Sequence, residues 1–474
     1  KPKPKPKRKP KPKPKRKPKP KPKGTLKLTQ NLLKMKLIAL ASAISLLSGA
    51  VAQLDCCLPH QPLDTATRCL GRVYEGYTTP SWNTTYKNYG FTGAGIDQCN
   101  RFGQSVAASK NYFIVGAPFS NAKRGAVFVF HNQGNDWSQS QKIDPVYEAS
   151  VSGFMGEALD ICDEYRTIVI GDSRANGRSG AVHIFELDQK SGQFKMTQTI
   201  ENPADKAGDR FGYSVSINKE YLVVGAFGHD NGAKNTGAAY IFSRKGSGDQ
   251  FSLLQSLKES TVAGDAFGTT VAVHDKTVVV GAPGAGNGNG VARIYWREQS
   301  QNQFELKDTK TGSTKQNLGG VVEVNTKTVL VSGGGNAGAG EVLLYELKES
   351  ELKWELADTL TAPDGDEQDL FGSAMDINDD DIVIGAKYSG AEGACGGSVY
   401  YFHKKATNWI FKTRLAHPMD PARDNARDYF GISVALEHAE HKIIVGASGD
   451  DDKGSHAGMV DMFDIKAIHD EFKI

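Results

Sequence analysis

Of the 474 residues 39% are apolar and 52 are glycine, a share that suits a globular chain and is too large for a disordered one; with no period of three in the glycines, collagen is excluded. The net charge of +3 hides a division: residues 1–34 hold 16 of the 57 Lys and Arg and no acid, Lys36 is the next base, and from Asp55 onward 40 bases face 54 acids, a net of −14. An acidic body of this kind argues against nucleic acid as a partner, because phosphate contacts need clustered Lys and Arg on a folded surface.

Residues 1–34 are a low-complexity Lys/Pro tail containing 9 of the 19 prolines. Two readings stand for it: a simple repeat translated ahead of a true start at Met35, and a genuine extended polyproline arm. The first is the expectation, because residues 35–52 have the form of a secretory signal peptide, which works near an N-terminus. That segment has a basic start, an apolar core and Ala50-Val51-Ala52 before Gln53. Its apolar run, Leu37 to Ala52, is 16 residues and falls short of the ~20 that span a bilayer, so no membrane span is expected. A secreted, extracellular location follows as the expectation.

Residues 53–81 open a Cys-rich N-terminal segment. The six cysteines, Cys56, Cys57, Cys69, Cys99, Cys162 and Cys395, are an even count behind a signal peptide and are read as disulfide candidates, with 15 connectivities open. Asn83-Thr84-Thr85 is a candidate glycosylation acceptor at Asn83.

From residue 82 to 474 one pattern returns seven times. A dyad of one apolar residue and Gly stands at Phe102-Gly103, Met155-Gly156, Phe211-Gly212, Phe267-Gly268, Leu318-Gly319, Phe371-Gly372 and Phe430-Gly431. A β-branched block ending near Gly follows, such as FIVGAP at 113–118 or VVVGAP at 278–283, with Ser332 replacing that Gly in the fifth copy. A third block, from GAVFVF at 125–130 to GMVDMF at 458–463, ends on an aromatic in every copy. Most copies add a fourth segment opened by Trp137, Phe194, Phe251, Phe304, Trp354 or Trp409. Short β-branched runs bounded by Gly suit strands buried on both faces, and alternating runs suit half-buried ones. Four strands in each of seven units predict an all-β fold, a seven-bladed β-propeller of four-stranded antiparallel blades, in which neighbouring sheets bury one another and closure removes the ends. Two segments compete for the closing strand, Trp82 to Tyr89 and Glu471 to Ile474; the N-terminal one is expected.

The dyads with their GAP-type turns are the mark of FG-GAP repeats, and the chain resembles the N-terminal propeller of integrin alpha subunits over residues 100–465. The resemblance implies extracellular placement, adhesion and ligand binding through loops on one face. It also implies calcium loops of the form D-x-[DN]-x-DG, and here the chain departs from the pattern. Only Asp376, Asn378 and Asp380 approach that spacing; the following Gly is missing, and a turn is the preferred reading. No cofactor is expected, calcium being the one the resemblance leaves open, and no integrin-like stalk is expected after the repeats.

Asn100, Asp209, Asp265, Asp369 and Asp428 stand two residues before the dyad, often with a second acid four earlier, as Asp205 and Asp424. Turn chemistry is the preferred reading over a ring of cation-holding carboxylates. The loops between second and third strands vary among copies and form the expected ligand face: Arg124, Arg174, Arg178, His229, Asp230, Tyr388, Asp450 and Asp451, with His456 near the last two. His183 and His274 fall in strand-like blocks and are read as packing or solvent-facing. With no G-x-S-x-G, H-E-x-x-H or P-loop in the chain, the expectation is a binding module for an extracellular protein or glycan and not an enzyme. The alternative is an extracellular polysaccharide-acting enzyme with carboxylates in the propeller channel.

Overall fold

The computed structural model describes residues 89–471 except 95, 97–98, 135, 146–152, 299, 335–338, 367, 391–395, 418–426, 438, 440, 452 and 454. The Lys/Pro tail, the signal-like segment, Asn83, Asp424, Cys56, Cys57, Cys69 and Cys395 therefore lie outside the described residues.

Seven four-stranded antiparallel sheets follow one another, over 105–143, 158–201, 214–257, 270–311, 322–360, 371–415 and 430–464. In the first six, strand order equals chain order; the seventh takes its outer strand, Tyr89–Phe91, from the N-terminal side. There Tyr89, Gly90 and Phe91 pair with Met462, Asp461 and Val460. The chain end beyond the seventh sheet is a helix, Ile465–Glu471, in place of a closing strand. First strands of successive blades neighbour one another all the way round, and that of blade 7 meets that of blade 1, so the ring is closed.

The strands follow the blocks. Second strands such as Thr167–Asp172 and Thr277–Ala282 are buried at every position, which is why their centres, IVI and VVV, are apolar runs. Of the third strands only Val291–Trp296 and Glu341–Lys348 alternate; the others, such as Ala238–Ser243, are buried over most of their length, because a neighbouring blade covers each face, and this corrects the half-buried expectation. Each of the first six blades shifts register immediately before the closing aromatic of the third block, for instance at Ile241/Phe242, so the aromatic lies opposite a β-bulge in the fourth strand. The core lies between blades. One cluster joins Val169, Val182 and Ile184 of blade 2 to Leu222, Val224 and Tyr240 of blade 3, and another joins Ile444, Val460 and Met462 of blade 7 to Phe102, Phe113 and Phe128 of blade 1.

The recurring glycines are the seams between blades. Where the ring closes, a Cβ on Gly446 would stand 2.1 Å from the carbonyl oxygen of Gly103, and one on Gly458 (φ +87°) 2.0 Å from that of Phe102. Only glycine permits this approach. The Phe102 N–H donates to the Ala457 carbonyl at 2.9 Å, and Ser433 Oγ to Gly103 O at 2.9 Å.

A second device ties the outer rims. Gln198 Nε2 donates to the carbonyl of Phe251 at 2.9 Å while the Phe251 N–H donates to Gln198 Oε1 at 2.8 Å. Gln141 grips Phe194 and Gln255 grips Phe304 in the same way. Between blades 4 and 5 the amide is split into a carboxylate and an ammonium: Asp308 accepts the Trp354 N–H at 3.1 Å and Lys310 donates to the Trp354 carbonyl.

The expectation of a bridge at Cys162 is corrected. It is a free, buried thiol donating to Glu164 at 3.2 Å, and burial, then that contact, pushes its pKa up to about 12. Such a thiol is held protonated and inert. Cys99, the other described cysteine, is buried and disulfide-bonded, so the expectation of a bridge holds there.

Candidate functional site

The loops from fourth to first strand and from second to third strand emerge on one face. The residue just before each dyad, at Arg101, Phe154, Arg210, Ala266, Asn317, Leu370 and Tyr429, has a left-handed backbone, with φ between 49° and 76°. It sits where the chain turns into the innermost strand. The second register position on this face is the pair two and three residues beyond the second-block Gly: Phe119, Arg174, Phe227, Lys387 and Tyr388 fall there.

These positions together form an arc around the channel mouth over blades 6, 7, 1, 2 and 3. Arg101 Cζ lies 4.6 Å from the Phe119 ring centre, Phe119 packs on Phe154 at 4.8 Å, and Arg174 Cζ lies 3.8 Å over Phe154. Arg210 stands 5.6 Å from Phe227, which meets Tyr213 edge-on at 4.5 Å. On the other side Lys387 Nζ is 5.4 Å from the Tyr388 ring, and Tyr388 meets Tyr429 at 5.7 Å. Tyr429 and Tyr388 are near enough to Arg101 to act on its charge. Burial lowers the pKa values of Arg101, Arg174 and Lys387. These cations are half-buried. Among the described residues no carboxylate forms an ion pair with Arg101, Arg174, Arg210 or Lys387. The Nε of Arg174 and the Oε1 of Gln104 are buried there without a hydrogen-bond partner. Glu157, whose charge acts on Arg174 and Arg210, accepts a hydrogen bond from Ser173 and has its pKa raised by burial.

Below the mouth, the fourth residue after each dyad Gly forms one level of the inner ring: Ala107, Asp160, Ser216, Ala272, Glu323, Asp376 and Ala435. Asp160 accepts N–H groups from Ile161 and, across the seam, from Ile217, both at 2.7 Å; Asp376 does the same with Ile377 at 2.8 Å and Leu436 at 2.7 Å. Burial, then the charge of Asp376, raises Asp160 to about 7 against those hydrogen bonds. Glu323 is raised well above the ordinary range by burial and by both aspartates.

The acids two residues before the dyads are buried and engaged. Asp209 accepts from Asn202 Nδ2 at 3.0 Å and pairs with His229 Nδ1 at 2.8 Å; Asp265 accepts from Ser260; Asp369 accepts the Asp366 N–H at 3.0 Å. In blade 7, His417 Nδ1 meets Asp461 at 2.7 Å and Nε2 meets Asp450 at 3.1 Å. Burial opposes the charge on His417, but the bonds to Asp450 and Asp461 prevail and raise its pKa to about 10. His417, Asp428 and Asp450 also bring ligand atoms within 4.8 Å of one another, a spacing that would admit a metal ion, although both ring nitrogens already face carboxylates.

The residues named from sequence are placed as follows. Arg174 and Tyr388 join the mouth. His229 and Asp450 were expected on the ligand face; they are buried in the blade junctions instead, because each pairs with a partner beneath the loop. Arg124 Nε donates to Asn121 O at 3.1 Å within its own turn. Arg178 and Asp230 are outside the arc; Asp230 accepts the Asn235 N–H at 2.8 Å. Asp451 accepts the His456 N–H at 2.6 Å. Asp376, Asn378 and Asp380 do not share one loop geometry: Asp376 is on the channel strand, while Asn378 Oδ1 caps the turn by accepting from Asp380 and Asp381 at 2.9 and 2.6 Å. His183 is buried against Thr199 and Asp172, and His274 reaches Thr326 at 3.2 Å. Arg101, Arg210, Lys387, Tyr429 and the phenylalanines of the arc were missed. Their signal was register: each sits at a fixed step from a dyad or second-block Gly.

Fold and site together define a closed seven-bladed propeller with its irregular loops gathered at one end of a channel. The chain carries FG-GAP repeats, which match at residues 96–130, 199–242, 259–295, 354–402 and 422–463. No curated protein matches the chain. Among solved structures it is similar to Sqt1 of Saccharomyces cerevisiae (12% identity, 79% of this chain and 97% of that one, TM-score 0.43). It is similar also to Sqt1 of Chaetomium thermophilum (12% identity, 77% and 83%, TM-score 0.43).

Proposed function

We propose that the protein is a secreted or cell-surface binding module that recognises an extracellular protein or glycan through the propeller loops of one face. The observation that carries this is the arc of half-buried cations and aromatics at the channel mouth, built from two repeat positions whose side chains differ from copy to copy. Secretion rests on the signal-like segment at 35–52 and is tested by sequencing the N-terminus of the native protein. Binding is tested on cells, matrix proteins and a glycan array, with Arg101→Ala and Tyr388→Ala as loop-face variants. Retained melting with lost binding supports the proposal, and no binding on all three overturns it.

One observation favours a second reading, an extracellular polysaccharide-acting enzyme. Asp160 and Glu323 are channel carboxylates with raised pKa values, a property of general acids. Turnover of extracted polysaccharides that disappears in Asp160→Asn would favour it over binding alone.

A further inference from the structure

We propose that the channel mouth takes an acidic peptide segment, whose Asp and Glu carboxylates are received by Arg101, Arg174, Arg210 and Lys387. This rests on the loop-face reading above and names its ligand chemistry.

Three observations lead there. First, the flat faces of the guanidiniums are occupied: Arg174 lies 3.8 Å over Phe154 and Arg101 4.6 Å over Phe119. The ring covers one face of the group and fixes its position, and the N–H donors around its rim match a carboxylate in fork geometry. Second, these cations have no carboxylate ion-paired to them among the described residues, and Arg174 Nε is buried without a partner. A half-buried cation left in this state gains from an incoming anion more than an exposed one does, because its own desolvation is already incurred. Third, the chain from Asp55 onward, the mouth included, has a surplus of 14 acids, so an acidic segment is repelled elsewhere and registers at the mouth.

A peptide suits the site better than a sugar chain. The Phe154 ring is flanked by Arg174 and Phe119, and Phe227 by Arg210 and Tyr213, so the rings that would stack on a sugar are already in use. What remains is a set of spaced N–H donors, which fits carboxylates carried on a flexible backbone.

The test uses the full chain and a fluorescently labelled (Glu-Gly)4 peptide, with (Gln-Gly)4 and a sulfated oligosaccharide as comparisons, read by anisotropy. The expected result is binding of the Glu peptide alone, weakened about five-fold or more by Arg174→Gln and by Arg210→Gln at unchanged melting temperature, and weakened further by salt. Arg174→Lys keeps the charge and loses the fork, and should recover only part of the affinity. Lys195→Gln, on an exposed outer strand, should change nothing. Equal binding of the Gln peptide, indifference to both Arg substitutions, or binding of the oligosaccharide in place of the peptide would overturn it. If a ligand without acidic groups binds the cells-and-matrix panel in an Arg101- and Tyr388-dependent way, this inference falls while the loop-face reading stands.

Discussion

Gln198→Leu should loosen the rim between blades 2 and 3. The wild-type amide makes two hydrogen bonds to the backbone of Phe251, at 2.9 and 2.8 Å, and leucine of similar volume makes neither. At about 1 kcal/mol net per bond the loss is ~2 kcal/mol, and it approaches ~4 kcal/mol if water fails to reach the freed N–H and carbonyl. Phe251 is 4% exposed, which favours the upper half of that range. For a ring of this size the unfolding entropy near the midpoint is about 0.8 kcal/mol/K, so ~2 kcal/mol lowers Tm by about 2–3 °C. Gln198→Glu separates the two bonds. Its carboxylate still accepts the Phe251 N–H but repels the carbonyl, so it should be less stable than wild type at neutral pH. Its pKa is raised in the folded state, and stability should return as pH falls and the protonated acid regains a donor. Differential scanning calorimetry at pH 5 and pH 7.5 measures both variants. A leucine variant within ~0.3 kcal/mol of wild type, or a Glu variant with no pH response, would refute the two-bond account.

Three further outcomes follow from the seams and the titrating groups. Gly446→Ala drives a methyl against the Gly103 carbonyl where the ring closes and should cost about 2–3 kcal/mol by denaturant unfolding, while Gly246→Ala, whose Cβ meets only Asp249 at 3.5 Å, should cost little. Asp160, raised to about 7 from an unfolded value near ~3.9, favours the fold fully below that unfolded value and loses the contribution as pH rises through 7; Asp160→Ser, the residue type blade 3 uses at this level, should flatten that slope. His417 is also raised, to about 10 from ~6.5 unfolded, so its contribution is complete below pH ~6.5 and disappears as pH climbs through 10; in His417→Gln the stability loss over that window should shrink, as urea midpoints at pH 7 and 10 would report.

The ring was legible in the sequence because its demands fall on the backbone. A dyad Gly, a second-block Gly and a third-block Gly let a neighbouring carbonyl approach, as Gly446 and Gly458 do, and only the fifth copy departs, with Ser332 in its second block. The mouth was not legible for the opposite reason. Arg101, Arg174, Tyr388 and Tyr429 are far apart in the chain, differ in kind, and become neighbours only once seven units stand in a circle. His229 and Asp450 were placed on the surface because charged loop residues usually are; their burial comes from Asp209 and His417, partners contributed by the preceding fourth-to-first loop. Asp376 was noticed as an acid in a turn, whereas strand parity sends it into the channel. Gln141, Gln198 and Gln255 recur every 57 residues, and that interval could have revealed the rim clamps.

The seventh sheet is assembled from both ends of the repeat array, and this sets a timetable for synthesis. Tyr89–Phe91 leaves the ribosome about 370 residues before Met459–Asp464, its hydrogen-bonding partner. At ~5–20 residues per second the early strand waits roughly 20–70 s. Phe91 gives it somewhere to wait: its ring meets Phe113 at 5.2 Å and Phe130 at 5.5 Å, both in blade 1. In the finished structure the latch therefore rests on the sheet that is complete first as well as on the one that is complete last.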